Sequence, residues 1–334
     1  MMDFINSTIR SFAVGQLRHK ALGIPAATLA HHAGARQVSR KISSLCGYVP
    51  SVVEVEIPEN LAPHGRFGMN AAGGLDPVAR TLQWSAEEFA YERPLPHLFA
   101  ALSRESRLVL DIGAFTGFYS MIAATCAPKA EIYAFEPQPE PRRLLVANLK
   151  RNHLLNRVQI IAKALSDRPG TGQLFVPTTK SGLIESANSL NPHPDATPRD
   201  LIEVPLIDVD SFLVERKAGP VDLIKIDVES HEPQVLRGAH RVLHEDRPMI
   251  FLEILDRCDT AALEKIRREA DYTVGTLIPE GIRLEGMVTH AHDSHDHILF
   301  PREKSDLVAR AVERAGVRLF AENPETSSSG SNSL

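Results

Sequence analysis

The chain has 334 residues, 43% hydrophobic and 24% charged, with 37 Lys+Arg against 42 Asp+Glu for a formal net charge of -5. These proportions exclude wholesale disorder, a collagen-like repeat and a coiled coil. No apolar run approaches the ~18 residues needed to cross a bilayer, and so mild a charge balance gives no general attraction to nucleic acid. Cys46, Cys126 and Cys258 lie far apart without CxxC spacing, which suits free thiols in a reducing, cytoplasmic setting and no disulfide framework.

In chain order, the first feature is a stretch between Asp3 and Glu54 with no acid, carrying Arg10, Arg18, Lys20, Arg36, Arg40 and Lys41. It lacks an apolar core followed by an A-x-A cleavage site, against a secretory signal. The readings left are an accessory segment docked over the acceptor mouth or in a homodimer contact, a helix on an anionic surface, and an organellar transit peptide. Pro58 to Gly74 reads as a loop-heavy connector. Trp84 to Leu102 reads as two short helices parted at Pro94 and Pro96, burying Phe89, Leu95, Leu98, Phe99 and Leu102. This gives residues 1–80 as accessory segment and connector, 81–305 as the main domain, and 306–334 as a C-terminal helix and disordered tail.

Within the main domain, apolar strands alternate with amphipathic helices. Strands are expected at Leu108–Ile112, Glu131–Phe135, Val158–Leu165, Thr171–Val176, Ile202–Leu206, Leu223–Ile226, Met249–Ile254, Thr273–Leu277 and Ile298–Phe300. Helices are expected at Phe118–Ala127, Pro139–Asn152, Val209–Glu215, Pro233–Leu243 and Ala261–Ala270. Such alternation implies βαβ crossovers and an α/β, Rossmann-like, mostly parallel doubly wound sheet. His290, His292, His295 and His297, interleaved with Asp293 and Asp296, read as a solvated loop with one or two ordered rings.

Three motifs end strands of this pattern. The first strand runs into Asp111-Ile112-Gly113-Ala114-Phe115-Thr116-Gly117, where glycines permit a tight turn and close approach of a ligand. This is not the dinucleotide pattern G-x-G-x-x-G. The acid at Asp111 also disfavours a pyrophosphate and suits an amino-bearing cation such as S-adenosylmethionine. The second strand ends at Glu136, placed to accept both ribose hydroxyls of an adenosine ligand. NAD enzymes use the same position, so Glu136 supports a nucleoside without identifying it. The third motif, Lys225-Ile226-Asp227-Val228-Glu229-Ser230-His231-Glu232, brings Asp227, Glu229 and His231 to the same sheet edge.

These segments resemble the FkbM family of S-adenosylmethionine-dependent methyltransferases between about Leu108 and Phe300. The resemblance is carried by D-I-G-A-F-T-G-F-Y-S, A-F-E-P-Q-P, the helix with Leu145, Asn148, Leu149 and Asn152, A-L-S-D, K-I-D-V-E-x-x-E-x-x-V-L-x-G and the strand ending in Glu253. It implies the class I methyltransferase fold, with Asp111, Gly113 and Gly117 as the methionine-side turn and Glu136 as the ribose acceptor. It also implies Ser166 and Asp167 near the adenine, and Asn188-Ser189-Leu190 near the pocket. The family usually has glycine where Ser230 stands.

The expected reaction is O-methylation of a hydroxyl on a small metabolite, polyketide- or macrolide-like, or on a sugar. No N-P-P-Y-type tetrapeptide argues for nitrogen. His231 is the expected base, because an ordinary imidazole titrates near neutrality, with Asp227 and Glu229 beside it. A divalent cation such as Mg²⁺ on Asp227 and Glu253 is a second route to lowering the hydroxyl pKa. The competing functions are an NAD-type oxidoreductase and a non-catalytic binding protein that keeps the fold.

Overall fold

The computed structural model describes residues 47–85, 89, 91–177, 183–184, 187–191 and 198–321, with the single positions 27, 38, 41 and 42. Most of the basic N-terminal stretch, Cys46 and the expected tail from residue 322 lie outside the described residues. The described chain divides into two compact units.

The first unit pairs β1 (Val52–Glu56) antiparallel with β2 (Arg66–Asn70), Val52 opposite Asn70. Helix α1 (Pro77–Trp84) follows, with Pro77 in its first turn. Its cap is Asp76, whose Oδ1 accepts the N–H of Val78 at 2.8 Å and of Ala79 at 3.1 Å. Placing the strand β2 within the expected connector corrects the sequence reading. Phe67 and Met69 are buried, but two apolar residues beside Gly68 are too short a signal to register as a strand.

The second unit begins with α2 (Leu95–Ser103), starting just after Pro94. Then come β3 (Leu108–Ile112), α3 (Phe118–Cys126), β4 (Glu131–Phe135), α4 (Pro139–Arg151) and β5 (Val158–Ile161). Strands β6 (Ala164–Leu165), β7 (Gly170–Pro177) and β8 (Pro198–Ile207) form a small separate sheet in the order β6-β8-β7. The chain continues through α5 (Val209–Arg216), β9 (Leu223–Ile226), α6 (Glu232–Arg237), β10 (Met249–Glu253) and α7 (Thr260–Glu269). It closes with β11 (Tyr272–Ile278), β12 (Gly281–Glu285), β13 (Asp296–Pro301), α8 (Ser305–Ala315) and β14 (Arg318–Phe320).

The large sheet has the order β14-β12-β11-β13-β10-β9-β3-β4-β5. Five of its pairings are parallel and three, all involving β11 or β13, are antiparallel. Both faces are covered, because β-strand side chains alternate. On one face the Phe212 ring of α5 meets Tyr133 and Phe135 edge-on, at 4.9 and 4.8 Å between centroids. On the other, Phe99 of α2 meets Tyr119 and Phe251 at 5.2 and 6.0 Å. Each such aromatic pair adds about 1 kcal/mol beyond the area it buries.

Three expected elements differ. In place of two helices parted at Pro94 and Pro96 over Trp84–Leu102, the described residues there show the end of α1 at Trp84 and one helix from Leu95, with Pro96 tolerated in its first turn, where no helical N–H is needed. The run Val158–Leu165 splits at residues 162–163, so β5 joins the large sheet while Ala164 and Leu165 pair with β8. The expected helix Pro233–Leu243 stops at Arg237, and a separate π-helical turn spans Val242–Asp246. His297 is buried and Asp296 opens β13, so only the first part of the His290–His297 stretch is a loop. No helix among the described residues is long and apolar enough to cross a membrane.

Candidate active site

In an open α/β sheet the carboxyl ends of the parallel strands frame the ligand crevice where strand order reverses. Here β3 is the first strand of the alternation and lies between β4 and β9. Asp111, near its end, is 1% exposed and accepts a hydrogen bond from Ser120 Oγ of α3. Burial pushes its carboxyl up to about 6.

The glycine loop after β3 is shaped by close approach. Gly113 has φ +82°, and a Cβ there would lie 1.8 Å from the Asp227 carbonyl oxygen. The N–H groups of Gly113 and Ala114 both donate to Phe135 O, at 3.0 and 2.9 Å. Gly117, at φ +92°, begins α3 directly above Leu145.

Glu136 ties this loop to the next helix. Its Oε2 accepts the Phe115 N–H at 2.9 Å and its Oε1 the Gln138 N–H at 2.8 Å. Burial pushes the carboxyl up to about 8, against those two donors and Arg142. Each carboxylate oxygen can accept two hydrogen bonds, so Glu136 retains acceptor capacity in a desolvated position.

The third strand end, after β9, is a tight turn. Glu229 and Ser230 have φ of 55° and 73°, both left-handed. A buried side chain that sequence reading did not single out, Glu232, clamps this turn. Its Oε1 accepts the Val228 N–H at 3.3 Å and the Ser230 N–H at 3.2 Å, while Cys258 Sγ donates to Oε2 at 3.3 Å. Burial raises Glu232 to about 7. The signal was present, an acid at the first position of a helix, but helix N-termini attract acids for dipole reasons alone.

Asp227, Glu229 and Glu253 come together, each offering an oxygen within 4.8 Å of the others. Asp227 Oδ2 accepts from Lys225 Nζ at 2.9 Å. Glu253, at the end of β10, is raised by burial and by the neighbouring carboxylate of Asp227. Asp296, its register partner on β13, is raised by burial and by Glu92.

His231 is placed differently from the expectation of a base. It is 6% exposed, and its Nε2 lies 3.0 Å from Ser166 Oγ. Its Nδ1 lies 3.2 Å from Asn191 Oδ1, while the Asn191 amide nitrogen donates to Ser230 O at 2.6 Å. That orientation of Asn191 makes Nδ1–H the donor and Nε2 the acceptor from Ser166. Burial lowers the ring's pKa to about 4. Both ring nitrogens therefore have partners within the chain, and the ring joins three segments. Ser166 is buried against this ring and Asp167 is exposed. Ser189 Oγ, bonded to Glu229 O at 2.6 Å, hangs the 187–191 segment on the same turn.

Strand order and an acid–glycine–acid edge define an α/β fold of the Rossmann-like class I methyltransferase type. Residues 111–274 match the family model described as the methyltransferase FkbM domain. That match spans just under half of the chain.

One relative is "31-O-demethyl-FK506 methyltransferase FkbM" of Streptomyces tacrolimicus, 29% identical over 40% of this chain and 60% of its own length. The chain therefore spans less than two thirds of that protein. Another is "Hexuronic acid methyltransferase AglP" of Haloferax volcanii, 25% identical over 56% of this chain and 72% of that one. Among solved structures, methyltransferase FkbM from Methylobacillus flagellatus aligns with a TM-score of 0.40 at 15% identity, over 59% of this chain and 44% of that one.

Proposed function

We propose that this protein is an S-adenosylmethionine-dependent O-methyltransferase acting on a hydroxyl of a small metabolite or glycan. The observation that carries the reading is the pair of desolvated carboxylates, Asp111 and Glu136, on either side of a glycine loop at adjacent strand ends. Such a set of acceptors fits a ligand with an amino group, a positive charge and ribose hydroxyls. Asp111, beside the loop, disfavours a pyrophosphate, which counts against the NAD-type alternative. The relatives' names, one an O-demethyl substrate and one a hexuronic acid, support an oxygen acceptor.

In this reading Glu136 binds the ribose hydroxyls with its remaining lone pairs, and Asp111 faces the amino-acid end. Gly113 and Gly117 keep the loop clear of side chains. Ser166 and Asp167 follow β6, and Ser166 reaches the adenine side only through its place beside His231. Bound S-adenosylmethionine supplies a methyl group already activated by a positive sulfur. The chain then has to orient the acceptor, exclude water and receive one proton. Asp227, Glu229 and Glu253 would orient the hydroxyl and receive its proton as the methyl group leaves sulfur for oxygen, the C–S bond breaking as the C–O bond forms. His231 acts as a positioning residue, fixing the turn that presents Glu229. A second reading places Mg²⁺ on Asp227 and Glu253, favoured by the three oxygens within 4.8 Å. It competes with Lys225 for the same carboxylates.

Calorimetry with S-adenosylhomocysteine and NAD, each alone, tests the cofactor. Binding of NAD without S-adenosylhomocysteine overturns the proposal. Labelled methyl transfer to panels of hydroxylated metabolites and glycans, with and without EDTA, then reads the acceptor class and the ion.

A further inference from the structure

Lysine is almost never fully buried, because its ammonium loses water at high cost unless paired. Lys225 is 1% exposed in the middle of the apolar strand β9. Its Nζ lies 2.9 Å from Asp227 Oδ2 and 5.0 Å from the centroid of the Tyr119 ring. Tyr119 in turn donates its hydroxyl to Glu92 at 2.7 Å. Glu92 and Asp296 also face the ammonium, and Asp296 is paired in register with Glu253. With Glu229 and Glu253 beside Asp227, five carboxylates gather at one end of the sheet.

Carboxyl groups this close stay together by holding protons or by sharing positive charge, and a hard divalent ion is a common source of that charge. We propose that Lys225 is the resident cation of this cluster, a positioning residue that holds Asp227 and gathers the acids in the place a divalent ion would otherwise take. The inference rests on reading the cluster as the reacting end of the site. Three features favour an ammonium here. The stem of Lys225 lies within β9 and fixes where the charge sits. The Tyr119 face adds a cation–π contact that a hydrated ion would not use. Its direct bond to Asp227 also occupies an oxygen that a metal would need. The consequence is an acid cluster whose arrangement is independent of ion supply.

The test compares wild type, Lys225→Met and Lys225→Arg, stripped with EDTA and dialysed, by thermal unfolding with MgCl₂ alone. Wild type and Lys225→Arg are expected to show no change with Mg²⁺. Lys225→Met keeps the stem and loses the charge, so it should melt lower without ions. Its melting temperature should then rise by about 4 °C once MgCl₂ exceeds its Kd tenfold. Stabilisation of wild type by Mg²⁺ overturns the proposal, and so does a Lys225→Met protein with wild-type melting and no response to Mg²⁺. If Lys225→Met does not fold, the double variant Lys225→Met/Asp227→Asn, which removes one negative charge with the positive one, is expected to recover folding. Failure of the double variant also overturns it. S-adenosylhomocysteine binding by wild type is measured separately, so loss of the cofactor reading is distinguishable from loss of this one.

Discussion

Replacing Ser230 by glycine should stabilise the protein, although it removes a buried side chain. Ser230 sits at φ 73°, where an L-residue with a Cβ is strained by about 1–2 kcal/mol. Its hydroxyl is 4% exposed as part of the residue and lacks a hydrogen-bond partner, which adds about 1 kcal/mol of desolvation cost. Glycine relieves both but is freer in the unfolded chain, which opposes the gain by about 0.5–1 kcal/mol. The two bonds that hold this position, Ser230 N–H to Glu232 and Asn191 to Ser230 O, are made by the backbone and survive the change. The balance is a stabilisation of about 1–2.5 kcal/mol, or a melting temperature roughly 3–7 °C higher for a domain of this size. Differential scanning calorimetry at pH 7 reads it directly. An unchanged or lower melting temperature for Ser230→Gly would show that the turn is not strained in this way.

Glu136→Ala should weaken S-adenosylhomocysteine binding by about 2–3 kcal/mol, the scale of hydrogen bonds to a charged group, and calorimetry with equal affinities would remove the ribose assignment. Gly113→Ala forces a Cβ to 1.8 Å from Asp227 O at a positive φ, so it should cost more than about 2 kcal/mol or abolish folding; soluble protein with wild-type melting would refute the close approach. For His231 the folded pKa of about 4 lies below the ordinary 6.5, so the unfolded chain binds the extra proton between those values. Stability from the neutral ring is thus present above pH 6.5 and lost on acidification, by about 2 kcal/mol at pH 5. The melting difference between wild type and His231→Asn should shrink from pH 7 to pH 5, and a constant difference contradicts the buried neutral ring.

Legibility in the sequence followed the range of the interactions. The β3–α3–β4–α4 alternation was readable because each strand is a short apolar run flanked by helical spacing. Asp111, Glu136, Asp227 and Glu253 were readable because acids at the ends of such strands stand out. What stayed hidden depends on partners distant in the chain. Strand β2 exists because it pairs with β1, and the break at residues 162–163 makes sense only when β8 is there to receive Ala164 and Leu165. The hydrogen bonding of His231 stayed hidden for the same reason. Its motif places it near the site, but its direction is decided by Ser166 and Asn191, 65 and 40 residues away. Lys225 was visible as a charge inside an apolar strand, but its partner was not. The structure bonds it to Asp227, two residues on and just past the end of β9.

The placement of β9 beside β3 also bears on how the chain is made. The first strand of the alternation pairs on one side with β4, which follows closely, but on the other with a strand about 115 residues later. Ribosomes add about 5–20 residues per second, so β3 leaves the ribosome roughly 6–25 s before its second neighbour. Throughout that interval a buried, apolar strand carries an open edge, the feature that invites pairing with other chains. The small sheet β6-β8-β7 is synthesised within this window and closes on itself. Aggregation during synthesis should therefore be most sensitive to changes that delay β9, and least sensitive to changes after β10.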